Sequence, residues 1–347
     1  MQIGGFFFSY ICPMSLVFSF IVPVFNRPTE IRELLESFSV LEYDKPYEIV
    51  IVEDGSSDTA AEVVEEFRSV LDISYYYKEN SGPGDSRNYG MERARGNYFI
   101  VLDSDVLMPP HYLETVSAFL QNSYYDCYGG ADAAHESFSY IQKAINHTMT
   151  SFLTTGGIRG KKNQIGKFEP RSFNMGISKE VFEKTGGFGT IHPGEDPDLS
   201  LRIQKAGYKT TFLPNAFVYH KRRISWSKFF KQVWKFGLVR PILTRWHPGS
   251  GKITFWFPTI FVVYLLLAIN ISLVYLNLWA FIPLVAYVVA VFTEALVKTK
   301  NPLIALLSIF AMFIQFLGYG VAFFISTIEI GLLNKDPKKQ FPNLFFK

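Results

Sequence analysis

The feature that most constrains this chain is a change of solvent near Phe255. From there on, Phe255–Leu276, Leu278–Thr293 and Pro302–Thr327 contain no Asp, Glu, Lys or Arg. Each run approaches the roughly 20 residues that span a bilayer. Three such runs in succession, with almost no polar face, read poorly as a buried helical core. Three spans are expected, with two spans plus a re-entrant piece as the alternative. The turn at Asn277 is uncharged, whereas Lys298 and Lys300 flank the next turn. The positive-inside rule then puts the soluble part and the Lys298–Asn301 turn in the cytoplasm, on a multi-pass protein of the inner (cytoplasmic) membrane. The basic tail, residues 331–347 with Lys335, Lys338, Lys339 and Lys347, opposes three full spans, because it would then lie outside.

Basic residues crowd into Lys221–Lys252, just before the apolar region (253–330). Within that segment Trp226, Phe229, Phe230, Val233 and Trp234 recur at helical spacing, and Lys228, Lys231 and Lys235 fall on the other side. This pattern predicts a helix lying in the membrane interface, with its basic side toward anionic head groups. A surface helix docked on the soluble domain is the plainer alternative.

The front of the chain obeys a different rule. Phe18–Val24, Glu48–Val52, Ile73–Tyr77 and Tyr98–Leu102 are short apolar or aromatic runs. Between them Thr29–Leu41, Thr59–Leu71 and Gly84–Ala94 have helical patterns, with Ile31, Leu34, Leu35 and Phe38 near the 3.6-residue period. Alternation of this kind predicts an α/β domain over residues 18–220 with a mostly parallel sheet. Ligands of such sheets bind beyond the carboxyl ends of the strands. Pro23–Arg27, Glu53–Asp58 and Asp103–Asp105 should therefore share one rim. Residues 1–17 read as an extension without the basic start of a secretory signal, and Met14 is as good a start as Met1.

Hydrophobic residues make up 48% and charged residues 19%, which excludes a disordered chain. A net charge of +3 gives no reason to expect nucleic acid as a partner. Cys12 and Cys127 have no spacing that supports a zinc knuckle or a disulfide framework.

Several carboxylates stand where chemistry is possible. Asp103-Ser104-Asp105 follows a strand, and two carboxylates one residue apart can reach Mg²⁺ or Mn²⁺ together, although such a tripeptide is also a common solvated turn. Glu195-Asp196 precedes the helix Leu199–Ala206, which Gly207 should end. The pair suits helix-dipole partners or a general base equally. Glu53-Asp54 follows Ile49–Val52, where a carboxylate can accept hydrogen bonds from a nucleobase or ribose. A turn capping the next helix is the plainer reading. Asn80–Gly90 is Gly-rich and carries Arg87, but fits neither a P-loop nor Gly-x-Gly-x-x-Gly. A P-loop ATPase and a nicotinamide dehydrogenase are thus unsupported. His220 ends the run Ala216–Tyr219 and could complete a metal site already held by Asp105.

Taken in order, Ser19–Arg27, Glu48–Asp58, Ser86–Gly90, Asp103-Ser104-Asp105 and Gly194-Glu195-Asp196 resemble the family-2 glycosyltransferases of GT-A fold. The resemblance covers about Phe18 to Lys252. It implies inverting transfer from a nucleoside-diphosphate sugar, the donor partner. By it Pro23, Phe25, Arg27 and Glu53 or Asp54 line the nucleotide pocket, with Arg87 and Ser104 beside them. Asp103 contacts ribose or metal, and Asp105 and His220 the metal. Asp196 is the base with Glu195 beside it. The remaining expectations are a lipid-linked or glycan acceptor, membrane lipids as partners, and a cell-envelope role.

Three rivals are weaker. A processive polysaccharide synthase would carry Gln-x-x-Arg-Trp, whereas Gln232-Val233-Trp234-Lys235-Phe236 lacks the Arg-Trp pair; Gln232 and Trp234 are kept as acceptor-side residues. A non-catalytic sugar-nucleotide-binding scaffold would have lost Asp-x-Asp or the base. A nucleotidyltransferase needs a basic, Gly-rich triphosphate loop that Pro23–Arg27 does not supply.

Overall fold

The computed structural model describes residues 15–133, 138–156, 168–220 and 225–346, except for the side chain of His220. Met1 and Met14, Cys12 and the basic cluster Lys221–Arg223 lie outside the described residues.

β1 (Phe18–Val24), β2 (Tyr47–Asp54), β3 (Ile73–Lys78) and β4 (Tyr98–Leu102) alternate with α1 (Pro28–Ser39), α2 (Ala61–Phe67) and α3 (Pro83–Arg93). The expected strands and helices are present, with ends shifted by a few residues. β1 and β4 are buried along their whole length, because helices cover both faces. Phe20, Ile49 and Ile100 pack with Leu34 and Phe38 of α1 on one side. Ile21, Val50 and Val101 pack with Met91 of α3 on the other.

The chain then adds β5 (Val106–Leu107), α4 (Tyr112–Asn122), β6 (Cys127–Ala133), α5 (Tyr140–Thr150), α6 (Phe152–Thr155) and β7 (Asn174–Ser178). After these come α7 (Lys179–Thr185), α8 (Glu195–Lys205) and β8 (Thr210–His220). One sheet results, in the order β3-β2-β1-β4-β7-β6-β8-β5. β3-β2-β1-β4 are parallel neighbours, as are β6 and β8; β7 runs antiparallel to both β4 and β6.

α8 begins four residues before the expected Leu199. Gly194, at φ 127°, makes the turn into it, and Pro197 sits in the first turn, where a missing N–H costs nothing. Glu195 and Asp196 are therefore the first residues of the helix.

α9 (Trp226–Trp246), α10 (Phe257–Tyr275), α11 (Ile282–Thr299), α12 (Pro302–Ser326) and α13 (Pro337–Gln340) complete the chain. Ile253–Tyr275, Trp279–Thr299 and Pro302–Leu332 are long and apolar enough to cross a membrane. They differ in surroundings. Half of the third is buried inside the protein, against 22% and 11% of the first two.

The cause is α9, and here the expectation of an interface helix is corrected. Its apolar side is covered by protein: Phe229 and Val233 pack with Ile145 and Met149 of α5 and Ala311 of α12. Trp226 meets Phe310 edge-to-face at 4.9 Å. At Gly237 a Cβ would stand 2.5 Å from the Tyr319 carbonyl oxygen, so only glycine permits this approach. Ser326 Oγ donates to the Leu238 carbonyl at 2.7 Å. The basic side, Lys228, Lys231 and Lys235, faces a cavity of the protein.

Beyond α12 the chain returns to the α/β domain. Ile330 and Leu344 pack with Ile191 and Ile242. Phe345 forms an antiparallel bridge with Ile191.

Candidate active site

A cavity of about 1210 Å³ opens at the carboxyl ends of β1, β2 and β4. The strand order reverses beside β1, so loops diverge there and leave a crevice. Pro23, Phe25, Arg27, Asp54, Arg87, Asp103, Ser104, Asp105, Glu195, Asp196 and Gln232 all line it.

Arg87 lies at the centre. Its side chain is 5% exposed and projects from α3. Nη2 donates to Asp103 Oδ1 at 2.8 Å, and Nη1 to Glu195 Oε1 at 3.2 Å. It thereby ties the end of β4 to the start of α8, with Arg87 itself 108 residues from Glu195 in sequence. The Phe188 ring lies 5.2 Å from the guanidinium carbon. Arg27 Nη1 meets Asp105 Oδ2 at 2.6 Å.

Glu195 and Asp196 occupy different fields. Burial pushes the Glu195 pKa up, but the hydrogen bond from His192 Nδ1 at 3.0 Å and the charges of His192 and Arg87 outweigh it and hold the carboxyl at about 2. Asp196 is pushed above the ordinary aspartate range, first by desolvation and then by the Glu195 charge; Arg87 and Arg171 only partly offset this. A half-buried carboxylate with raised proton affinity in a cavity wall is the kind of group that removes a proton.

Two expected residues point elsewhere. Glu53 is fully buried and does not line the cavity. It accepts hydrogen bonds from the Ser56 hydroxyl, from Ala60 N–H at 3.0 Å and from Tyr75 OH at 2.9 Å. Side chains alternate across a strand, so Glu53 and Asp54 cannot face the same way. The nucleotide role expected for Glu53 is corrected to holding the turn into α2. Trp234 likewise does not line the cavity; it packs beside Leu238 and Phe230. Gln232, one helical step away, does line it, and its Oε1 is buried with no hydrogen-bond partner among the described residues.

Asp54 faces the cavity wall and is engaged by its own chain. Lys78 Nζ reaches it at 2.7 Å, and the N–H groups of Ser81 and Gly82 donate to it, both at 3.0 Å. It fixes the loop that leads into α3 and Arg87.

Asp103 and Asp105 both line the cavity, and a set of two carboxylates fits Mg²⁺ or Mn²⁺, which take one or two carboxylates and complete their shell with water and substrate phosphates. No group of three ligating side chains exists among the described residues. His220 ends β8 opposite Val106, one residue past Asp105; its side chain lies outside the described residues.

Sequence reasoning missed the contribution of the tail. Leu344 carbonyl accepts from His192 N–H at 2.7 Å, and Phe346 N–H donates to the Thr190 carbonyl at 3.0 Å. The Phe346 ring sits 5.7 Å from His192 and lines the cavity. A Cβ on Gly82 would stand 2.4 Å from that ring. The tail thus braces the loop that carries His192 and Glu195. Its sequence signal is the apolar group Phe341, Leu344, Phe345 and Phe346 after the polar stretch 334–340.

Known proteins resemble this chain in sequence and in fold. GlyA of Streptococcus pneumoniae, a glycosyltransferase, is 41% identical over 250 residues, 65% of this chain and 33% of that protein. The poly(ribitol-phosphate) β-N-acetylglucosaminyltransferase TarS of Staphylococcus aureus is 33% identical over 112 residues, 31% of this chain and 20% of TarS. The chain therefore spans a fifth to a third of the length of these relatives. Among solved structures, a fragment of TarS, residues 1–349, superposes with a TM-score of 0.50 at 18% identity, covering 92% of this chain and 92% of the fragment. The mannosyltransferase PcManGT of Pyrobaculum calidifontis, solved with GDP-Man and Mn²⁺, gives 0.52 at 18% identity, covering 92% of this chain and 88% of that one. These likenesses show the GT-A fold. The sequence itself matches the profile of glycosyl transferase family 2 over residues 19–186, and the chain is similar to that family of glycosyltransferases.

Proposed function

We propose that this protein transfers a sugar from a nucleoside-diphosphate sugar to a hydroxyl of a membrane-associated acceptor, with inversion at the anomeric carbon. The observation that carries the reading is the single cavity shared by Asp196, Arg87, Asp103 and Asp105 beyond the strand ends. Asp196, ionised, takes the proton of the acceptor hydroxyl. The acceptor oxygen then attacks the anomeric carbon as the bond to the diphosphate breaks, and the nucleoside diphosphate leaves. One displacement without an enzyme nucleophile inverts configuration. Glu195 stays ionised beside Arg87 and His192, and its charge raises the basicity of Asp196. Asp103 and Asp105 would hold a divalent cation, which supplies Lewis-acid stabilisation of the leaving diphosphate. Pro23 and Phe25 would flank the nucleotide. The named relatives use or bind both uridine and guanosine nucleotides, so both donor classes belong in the test.

The membrane reading also changes. The chain before α10 and the chain after α12 both lie on the α/β domain, through His247–Asp198 at 2.8 Å and Ile191–Phe345. An odd number of crossings cannot return a chain to the side it left. We therefore read α10 and α11 as a hairpin that crosses and returns, and α12 as a helix held on the catalytic side by α9 and α5. The tail lysines then fall on the same side as Lys298, as the positive-inside rule asks. On this reading the α/β domain faces the cytoplasm.

The test is turnover by the full chain in lipid nanodiscs, with Mn²⁺, UDP- and GDP-sugars and a membrane extract as acceptor. Release of nucleoside diphosphate that depends on the extract is expected. If no donor of either class is consumed or bound by the folded protein, the reading fails.

A further inference from the structure

The cavity is electrically divided. The half formed by the strand ends and α1 carries five carboxylates, Asp103 and Asp105 among them, against Arg27 and Arg87. The half formed by α9 and residues 168–173 has the opposite sign. There Arg171, Lys228, Lys231, Lys235 and Arg240 line the cavity, and Glu169 is the only carboxylate with them among the described residues. Glu195 and Asp196 lie between the halves.

Glu169 does not neutralise this wall. It is 6% exposed and already shared by three cations: Lys252 at 3.0 Å, Arg240 at 3.4 Å and Arg171 at 3.5 Å. Burial lowers the Arg171 pKa and Arg240 lowers it further, while Glu169, Asp196 and Glu195 oppose this. Arg171 Nε is buried and meets no hydrogen-bond acceptor among the described residues. A buried guanidinium donor left unmet on a cavity wall costs free energy until an oxygen anion fills it. A neutral sugar hydroxyl needs no such wall. Beyond the cations the lining turns apolar at Phe255 and Pro258, around the start of α10, and at Tyr319 of α12.

Resting on the transferase reading above, we propose that the α9 half of the cavity is an acceptor subsite for a phosphate monoester or diester, with Arg171, Arg240 and Lys235 as its anchors. The phosphate lies on the side of Asp196 away from the donor and positions the hydroxyl to be glycosylated. The same chemistry is available from a lipid head group or from a phosphate within a glycan, and the apolar wall favours the lipid.

The probes are dodecyl phosphate, glycerol phosphate and the neutral dodecyl maltoside, offered to the full chain with saturating UDP or GDP and Mn²⁺ so that the donor half is filled. Dodecyl phosphate should raise the melting temperature more than dodecyl maltoside. Arg240→Gln and the half-exposed Lys235→Gln should each weaken its apparent affinity about tenfold. Dodecyl phosphate binding better than glycerol phosphate identifies a lipid source; equal binding identifies a phosphate carried by a soluble glycan. Equal binding of dodecyl phosphate and dodecyl maltoside, or binding untouched by Lys235→Gln, overturns the subsite. Nucleotide binding that persists in that case leaves the transferase reading standing, whereas its absence in the wild type removes that reading separately.

Discussion

Glu195 and Asp196 are adjacent in the chain, yet the cavity moves their proton affinities in opposite directions. His192 and Arg87 hold Glu195 ionised down to about pH 2, and that fixed charge, together with desolvation, raises Asp196. Two neighbouring carboxylates so separated are a recurring way to obtain one permanent charge and one proton acceptor.

The acid limb of activity should follow Asp196. The base acts only when ionised, so a raised pKa removes activity at a higher pH than an ordinary aspartate, near 3.9, would. Asp196→Asn should lower turnover about 10²–10⁴-fold. The stability effect has the other sign. A carboxyl whose folded pKa is raised favours the native state below its unfolded pKa, and loses that contribution as pH rises through the folded value. At pH 7 the Asn variant should therefore melt at or above the wild-type temperature. A pH–rate profile and a thermal melt check both, and near-wild-type turnover in the variant removes Asp196 as the base.

Arg87 joins two carboxylates that are otherwise far apart in sequence. Arg87→Met leaves Asp103 and Glu195 without their buried partner, and should cost about 3–5 kcal/mol of stability. Arg87→Lys should recover only part of this, because one ammonium cannot serve two carboxylates at the angles of a guanidinium fork. Denaturation of both variants in the same detergent measures the difference. Equal stability of all three proteins would contradict the bridging role.

For the metal, exhaustive EDTA treatment should abolish transfer, and added Mn²⁺ or Mg²⁺ should restore it. Asp105→Ala should behave like the EDTA-treated wild type and not respond to the added ion. Turnover that survives chelation sinks the proposed role of Asp103 and Asp105.

Phe346 is expected to act through the loop it braces. Phe346→Ala should lower kcat severalfold, with membrane insertion unchanged, and shift the pH profile by loosening His192 against Glu195. Phe346→Leu should rescue much of the loss. An unchanged pH profile in Phe346→Ala would confine the ring to packing.

Membrane topology can be read with single-cysteine reporters in inverted vesicles. Lys339→Cys should be labelled from the same side as the catalytic domain, and Asn277→Cys from the opposite side. Opposite-side labelling of Lys339→Cys would restore three full crossings.

The sequence by itself determined the α/β order up to β4, the rim on which Asp103, Asp105 and Arg27 stand, and the change of solvent at Phe255. These are local facts: strand and helix periods, strand ends, and uninterrupted apolar length are written in neighbouring residues. The motif left Glu53 or Asp54 for the nucleotide pocket, and the strand's alternation lets only Asp54 face the cavity. α9 was misread because its amphipathic pattern states that one side is covered and not by what; α12 covers it. The Arg87 bridge, the tail on His192 and the division of the cavity into acidic and basic halves were decided only by tertiary structure. Each brings together residues far apart in the chain, and the energy of such contacts depends on distance and burial, which no local pattern carries.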